Sequence, residues 1–173
     1  MPELPEVETV VRQLCVKIIG KKVLAVESFD DKVIDSKILE KVPFVIKNVT
    51  RKGKYIVFEV SNGFILAHLR MTGSFNYNKG KYCKGIFHLS DGSLLSHNSI
   101  RRFGGMEFLS ESELATKLSS LGPEPLEISS SDFVILFAKH PNSVIKTKLL
   151  DQQFIVGVGN IYAMEALYNA GID

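Results

Sequence analysis

The stretch KYIVFEVSNGFILAHLRMTG, residues 54–73, decides the fold class of this chain. Two short runs rich in β-branched and aromatic residues flank the tripeptide Ser61-Asn62-Gly63. A turn tripeptide between two such runs is a strong hairpin signal. We therefore predict two antiparallel strands joined by a tight turn at this point in the chain.

The same pattern of short β runs extends outward from the hairpin, from Lys22 to about Phe108. Strands are predicted, in chain order, over KVLAVESF, FVIKNVTRKG, KYIVFEVSNG, FILAHLRMTG, GIFHLSDGS and GGMEFL. Consecutive strands without interleaved helices indicate an antiparallel sandwich or barrel rather than a doubly wound parallel sheet. The fold class is therefore predicted as α+β, with an N-terminal antiparallel β-sandwich.

Helical periodicity precedes this β region. Over residues 5–16 an apolar face at helical spacing is formed by Val7, Val10, Val11 and Leu14. Pro5 suits the first position of a helix, and acidic residues suit its positive end. The sandwich is therefore predicted to carry an N-terminal helix.

Helical periodicity also returns after the β region. ESELATKLSS and SVIKTKLLDQ are predicted as helices, and LGPEPLEISSS as a connector. SDFVILFAKH is predicted to be capped by Ser131 or Asp132, and NIYAMEALYNAG by Asn160, with Gly171 as its terminator. The predicted domains are residues 1–121, a linker at 122–130, and a partial helical domain at 131–173.

Composition narrows the classes of protein that this chain can represent. Its 173 residues are 45% hydrophobic and 23% charged, with a net charge of +2, which is ordinary for a globular protein. No run of eighteen apolar residues predicts a membrane span, and the first twenty residues lack a secretory signal. Cys15 and Cys83 form neither a disulfide framework nor a CxxC zinc pattern, which favours a reducing, intracellular setting.

The opening MPELPEVETVV is the candidate reactive site. Removal of Met1 would leave Pro2 as a free secondary amine, and such an amine attacking an aldehyde-like carbon forms a cationic iminium. The reference pKa of an N-terminal amine is about 8, and a nearby helix start would lower it further. Glu3 and Glu6 could serve this amine as proton donor and acceptor. The same residues also suit a capped helix with an acidic first turn and no catalytic role.

Two predicted turns carry residues that are unusual for exposed loops. Met71 and Arg101 lie in HLRMTG and IRRFGG, and Phe103 follows in the second of these. Side chains of this kind on loop tips suit a protein that fills the gap left by an extruded base. Each also has a structural interpretation, since Met and Phe are more often found in a core.

Six motifs together resemble the formamidopyrimidine-DNA glycosylase family. They are PELPEVETV, RKGKY, HLRMTG, RRFGGMEF, LGPEPL and KLLDQQFIVGVGNIYAMEAL, which occur in the order of that family and cover essentially the whole chain. The resemblance implies a two-layered β-sandwich followed by a helix–two-turn–helix domain. It also implies a monomeric base-excision repair enzyme of the bacterial cytoplasm. Its partner would be double-stranded DNA containing oxidised purines (8-oxoguanine, formamidopyrimidines) or abasic sites.

The resemblance also implies a role for each matching residue. Pro2 would attack the sugar C1′ and form a Schiff base, and subsequent β,δ-elimination would cleave the strand. Glu3 would assist ring opening, Glu6 would organise the site, and Lys54 would contact a phosphate or sugar oxygen. The residues implied to bind DNA are His68 and Asn160 on flanking phosphates, and Met71, Arg101 and Phe103 inside the helix, with Arg101 facing the orphaned cytosine.

The sequence departs from the family pattern in three places. No CxxC pair is present, so the ligands of the family's structural zinc are absent, and the chain is expected to be truncated and to bind lesion DNA poorly on its own. KYCKGIFHL is shorter than the corresponding family segment, and HNSIRRFGG lacks an aspartate and a proline before the paired arginines. No cofactor is expected in the active site.

Three alternative functions remain open from the sequence. The chain could be a truncated, non-catalytic module that binds damaged DNA. It could be a glycosylase for oxidised pyrimidines, although PELPEVETV favours the purine branch. An N-terminal proline tautomerase is a further alternative, which the loops of Met71 and Phe103 disfavour.

Overall fold

The structure is a computed structural model that describes residues 1–172. In chain order its elements are α1 (Leu4–Ile18), β1 (Lys22–Ser28), α2 (Ser36–Glu40), β2 (Phe44–Lys52), β3 (Tyr55–Val60), β4 (Gly63–His68), β5 (Gly73–Asn76), β6 (Cys83–Leu89), β7 (Leu94–Ser99), β8 (Gly105–Leu109), α3 (Glu111–Ser119), α4 (Ser130–Ala138), α5 (Ile145–Leu150) and α6 (Asn160–Asn169). The six predicted strands are present. Strands β5 and β7 and the short helix α2 were not predicted.

The strands form one sheet with the order β5-β7-β6-β1-β2-β3-β4-β8. Each neighbouring pair is antiparallel. In the β3–β4 hairpin Val60 pairs with Gly63, so Ser61 and Asn62 form the tight turn that the sequence predicts.

The sheet folds over itself into two layers. The halves β5-β7-β6-β1 and β2-β3-β4-β8 are joined through the pairs Lys22–Val45 and Val23–Phe44. Phe58 of β3 nevertheless meets Phe75 of β5 edge-on, with ring centroids 5.6 Å apart, although these strands belong to different halves. One hydrophobic cluster contains residues from both halves. The predicted antiparallel β-sandwich is therefore confirmed.

Helix α1 closes one side of this core and fixes the N-terminus. It begins at Leu4, one residue earlier than predicted, and its buried face is Leu4, Val7, Val11, Leu14 and Ile18. Val10 lies at the edge of that face and is only partly buried. Each fully buried side chain of this type contributes about 1.5–3 kcal/mol of transfer free energy, so the start of the chain is firmly held.

The helical region has its own small core around Phe154. Ser129, rather than Ser131 or Asp132, caps α4, because its hydroxyl accepts the backbone N–H of Asp132 at 3.0 Å. The predicted cap was therefore wrong by two or three residues. Gly171 follows α6 with a φ of +66°, as expected for a residue that ends a helix. Within residues 1–172 no helix is both long and apolar enough to cross a membrane.

The segment between α3 and α4 is packed between the sandwich and the helical region. Gly122 and Glu124 are buried. The backbone N–H of Val156 donates to Pro123, and that of Leu4 donates to Gly157, both at 3.1 Å. These bonds bring the loop before α6 against the N-terminus of the chain, where the candidate site lies.

Candidate active site

The Glu3 carboxylate is bound to the first turn of α6, more than 150 residues away in the chain. It accepts the backbone N–H groups of Gly159 and Ile161 at 2.9 Å and of Tyr162 at 3.2 Å, and Glu3 is 3% exposed. A Cβ at position 159 would lie 2.4 Å from the Glu3 Cδ, so glycine is required there. Glu3 therefore occupies the anion site that a helix N-terminus provides.

Asn160 does not cap α6, contrary to the prediction. Gly159 is the N-cap, and Asn160 is the first helical residue. The backbone N–H groups at this helix start are not free for a phosphate, because Glu3 binds three of them. Asn160 is exposed and lines a cavity, so its amide rather than the helix backbone is available to a ligand.

Glu6 is held next to Glu3 by two hydrogen bonds. It accepts the backbone N–H of Glu3 at 2.8 Å and the hydroxyl of Tyr162 at 3.0 Å. Partial burial acts to raise the pKa of Glu6, but these two bonds outweigh it and hold the pKa below its ordinary value. Glu6 is therefore ionised at neutral pH and able to accept a proton.

Lys54 opens onto a cavity of about 250 Å³ beside the N-terminus. The cavity is also lined by Met1, His68, Arg70 and Asn160, among others. Lys54 is 5% exposed, and burial lowers its pKa, as does the charge of Arg70, while the charge of Glu3 acts in the opposite direction. The structure thus brings together Lys54, His68 and Asn160, which the sequence predicts to bind the sugar or phosphates.

His68 faces this cavity as a neutral hydrogen-bond donor. Its Nδ1 accepts the backbone N–H of Arg70 at 3.0 Å, which places the ring proton on Nε2. Burial lowers the pKa of His68 to about 4, and the charges of Arg70 and Lys54 contribute in the same direction. Lys54, the His68 Nε2–H and the Asn160 amide are all donors, which suits a ligand whose oxygens are acceptors.

Pro2 lies between this cavity and a smaller one. It is half-buried and lines a cavity of about 120 Å³, together with Glu6, Leu69 and Gly73. Met1, which is bonded to the Pro2 nitrogen, lines the cavity of Lys54. The nitrogen of Pro2 therefore lies at the edge of the site rather than inside the core.

The predicted DNA-inserting residues lie on two adjoining loops. Met71 is 47% exposed and Phe103 is 66% exposed, and Arg101 is exposed as well. The loops are linked because the Thr72 hydroxyl accepts the backbone N–H of Arg101 at 3.1 Å. A cavity of about 490 Å³ beside Phe103 shares Tyr55, His68 and Arg70 with the cavity of Lys54, so these loops border the candidate site.

Comparison with known proteins identifies the family. Residues 1–106 match the formamidopyrimidine-DNA glycosylase N-terminal domain, and residues 121–173 match the formamidopyrimidine-DNA glycosylase H2TH domain. The chain belongs to the formamidopyrimidine-DNA glycosylase family. The family enzyme of Pelotomaculum thermopropionicum is 41% identical over 187 residues, which cover 100% of this chain and 68% of that protein. That of Bacillus licheniformis is 37% identical, with 99% and 68% covered.

A solved structure of the formamidopyrimidine-DNA glycosylase family has the same fold. The complex between the Lactococcus lactis enzyme and DNA containing an abasic site matches with a TM-score of 0.89 and 28% identity. The match covers 99% of this chain and 68% of that one. The chain therefore spans about two thirds of the length of the family members that it matches.

Sequence reasoning missed three residues of this family member's site. Arg70 lines two of the cavities, Tyr162 binds Glu6, and Glu124 binds the turn before Lys54. Tyr162 lies two residues after Asn160, yet helical spacing gives no sign that its hydroxyl reaches α1. Glu124 lies in the motif LGPEPL, so the family resemblance marked this segment, but its two prolines and glycine predict only a connector and not the burial of Glu124.

The described residues of this family member do not fit the structural zinc that the resemblance implies. Cys15 lies on α1 and Cys83 begins β6, and both are free thiols. Residues 1–172 contain no group of three or more His, Cys, Asp or Glu side chains that could hold a metal ion.

Proposed function

We propose that this chain is a DNA glycosylase of base-excision repair that removes oxidised purines and cleaves the strand at the resulting abasic site. The observation that carries the proposal is the placement of Glu3. Three N–H groups at the start of α6 bind its carboxylate next to Pro2, and Gly159 and Asn160 of the same helix start line the cavity of Lys54. Membership of the formamidopyrimidine-DNA glycosylase family supports the same chemistry.

In the first step the Pro2 nitrogen attacks the sugar C1′ of a nucleotide whose base has left the helix. The bond from C1′ to the base breaks and the departing base takes a proton from water. The sugar ring then opens to leave a cationic iminium, and the proton of the Pro2 N–H passes to the ring oxygen. Glu3 fits a role in proton transfer to the ring oxygen. Its two oxygens offer about four lone pairs, and three are used by backbone N–H groups, which leaves one for the substrate.

The second step cleaves the strand. The iminium withdraws electrons and acidifies the C2′ proton, so a base can remove that proton while the 3′ phosphate departs as the leaving group. Glu6, which is ionised and adjacent, is positioned to accept a proton at the N-terminus. Lys54, the neutral His68 and Asn160 supply three donors for the phosphate oxygens on either side of the lesion.

In this proposal the exposed loops that carry Met71, Arg101 and Phe103 stabilise the extruded state of the base. Unstacking a base costs a few kcal/mol, and inserted side chains offset that cost by filling the space left in the duplex. Met71 and Phe103 are apolar and exposed, while Arg101 provides a planar donor fork for the edge of the unpaired base.

Borohydride trapping on abasic-site DNA tests the proposal. The wild-type chain, with loss of Met1 verified by mass spectrometry, should form a covalent adduct that maps to Pro2. The Pro2→Gln variant retains Met1 and should form no adduct at residue 2, because the nitrogen of that residue is then an amide and cannot form an iminium.

Two results would contradict the proposal. Binding of abasic DNA without an adduct would identify the chain as a non-catalytic DNA-binding module. Faster release of thymine glycol than of oxidised guanine would place it with the glycosylases of oxidised pyrimidines.

A further inference from the structure

Asp30, in the turn after β1, binds a residue of the DNA-inserting loop. Its carboxylate accepts a hydrogen bond of 2.9 Å from Arg102 Nη2 and forms an ion pair with Arg102 Nε. The Asp30 side chain is only 6% exposed, and its Oδ1 also accepts the backbone N–H of Lys32 at 3.2 Å. A bidentate pair of this kind fixes the orientation of a guanidinium as well as its position.

Arg102, directly before Phe103, adopts a left-handed backbone conformation. Its φ is +60°, and among residues 1–172 the other non-glycine residue with a positive φ is Arg70, at +52°. Arg70 immediately precedes Met71, and Arg102 immediately precedes Phe103. The left-handed conformation is unfavourable for residues with a side chain, so it persists only where surrounding contacts impose it.

Different contacts stabilise the two left-handed arginines. The backbone N–H of Arg70 is bound by His68, which belongs to the candidate site. The side chain of Arg102 is bound by Asp30, which lies outside the cavities of Lys54 and of Pro2. The 100–104 loop thus has its own anchor on the body of the sandwich.

We propose that Asp30 is a positioning residue that decides which of two adjacent arginines enters the duplex. This inference rests on the proposed function. Arg101 and Arg102 are chemically identical, and a loop that slipped by one residue would present the wrong one. Asp30 engages the guanidinium of Arg102, although the Arg102 side chain is 51% exposed, whereas no such partner holds the exposed side chains of Arg101 and Phe103 in the described residues.

The contact between the loops supports this assignment. Thr72 binds the backbone of Arg101, directly before the residue that Asp30 holds. A Cβ on Gly104 would lie 2.5 Å from the carbonyl oxygen of His68, so the two loops also touch through their backbones. Release of Arg102 would therefore disturb Met71 as well as Phe103.

A double-mutant cycle on abasic-site DNA tests the inference. Asp30→Asn, Arg102→Gln and the double variant would be compared in borohydride trapping on duplex and on single-stranded DNA. Single strands have no partner base and need no inserted side chains. Asp30→Asn should slow trapping on the duplex by at least about tenfold and leave the single-strand rate within about twofold. In the Arg102→Gln background, Asp30→Asn should have no further effect.

Preference for the opposite base provides a second readout. Asp30→Asn should reduce the discrimination between cytosine and adenine opposite the lesion, because Arg101 is no longer held in register. Asp31→Asn, at the exposed neighbouring position, is the matched control and should behave as the wild type does.

The outcomes separate this inference from the proposed function. No adduct of the wild type with either substrate overturns both. An unchanged duplex rate in Asp30→Asn overturns the inference alone. Equal losses on duplex and single-stranded DNA also overturn it, because they would show a general loss of the active fold.

Discussion

The Glu124 carboxylate accepts a hydrogen bond of 2.7 Å from the backbone N–H of Gly53, 71 residues earlier in the chain. Its other oxygen binds Arg51 Nη1 at 2.7 Å, and that guanidinium also donates to the carbonyl of Gly53 at 3.1 Å. Gly53 has a φ of +57° and directly precedes Lys54. Glu124 therefore fixes the turn that presents Lys54 and ties the helical region to the sandwich.

Glu124→Gln should destabilise the protein by about 3 kcal/mol, because loss of one partner leaves the other charge of a buried pair uncompensated. The low end of the known range is expected, since Arg51 keeps its bond to Glu8 at 3.0 Å. Urea unfolding measures the change. Glu127→Gln, at an exposed position of the same segment, is the control and should change the free energy of unfolding by less than about 0.5 kcal/mol. Equal effects of the two variants would show that the Glu124 pair contributes nothing specific.

Gly159→Ala should abolish borohydride trapping while the protein stays folded. The new Cβ would lie 2.4 Å from the Glu3 Cδ and 2.5 Å from its Oε1, so the carboxylate must leave the start of α6. Trapping of abasic DNA and circular dichroism should be measured on the same sample. A folded variant that traps DNA at the wild-type rate would contradict the role given to the bond between Glu3 and α6.

The elements that the sequence predicts correctly are those with local causes. The β3–β4 hairpin follows from alternating runs around Ser61-Asn62, and α1 from the spacing of its apolar face. Strand β7 was missed because four consecutive residues, 96–99, are polar and yet buried. One of them, Ser96, donates to the carbonyl of Asn78 at 2.6 Å in the loop between β5 and β6, a bond that local pattern does not reveal.

The site could be predicted only as far as residue types and motifs allow. Pro2 and Glu3 were predicted as site residues from their chemistry and from family motifs, and Lys54 from the family motif alone. The cap of α6 was assigned to Asn160 because a cap is normally local, whereas the group that binds this helix start is Glu3, 156 residues from Gly159. Contacts of this length depend on how the two domains pack, which periodicity does not encode.

Stability should fall as the pH drops from about 6.5 toward 4. Burial lowers the pKa values of His68 and His97 to about 4 in the folded protein, below the ordinary value of 6.5. The unfolded chain therefore binds more protons within this window, and protonation favours unfolding. The slope should approach about 1.4 kcal/mol per pH unit for each histidine. Chemical denaturation at several pH values measures it.

His97→Leu separates the two contributions. Both ring nitrogens of His97 lack a hydrogen-bond partner among residues 1–172, so an apolar side chain should be tolerated there. Without this histidine, the slope of unfolding free energy against pH should fall by about 1.4 kcal/mol per pH unit. Ser99→Ala, which removes a buried hydroxyl that also lacks a hydrogen-bond partner among residues 1–172, is the non-titrating control. An acid slope that stays the same in His97→Leu would contradict the assignment.

Lys54→Met should increase stability and decrease activity. Burial lowers the pKa of Lys54, which means that its charge is unfavourable in the folded state, and an apolar side chain removes that cost. An increase of about 1 kcal/mol in the free energy of unfolding is expected, with a lower trapping rate on abasic DNA. Lys47→Met, at an exposed position of β2, is the control. Loss of stability in Lys54→Met would show that Lys54 serves the fold rather than the site.

Phe103→Ala should impair action on duplex DNA without affecting the fold. Phe103 is 66% exposed, so its removal should change the free energy of unfolding by less than about 0.5 kcal/mol. Leu24→Ala, at a position of β1 that is 52% exposed, is the matched control and should leave every rate unchanged. Excision from duplex DNA should fall because the extruded base leaves a gap that no side chain fills, while trapping on single-stranded abasic DNA should persist. Loss on both substrates would place Phe103 in the reaction itself, and loss on neither would remove it from the DNA-inserting loop.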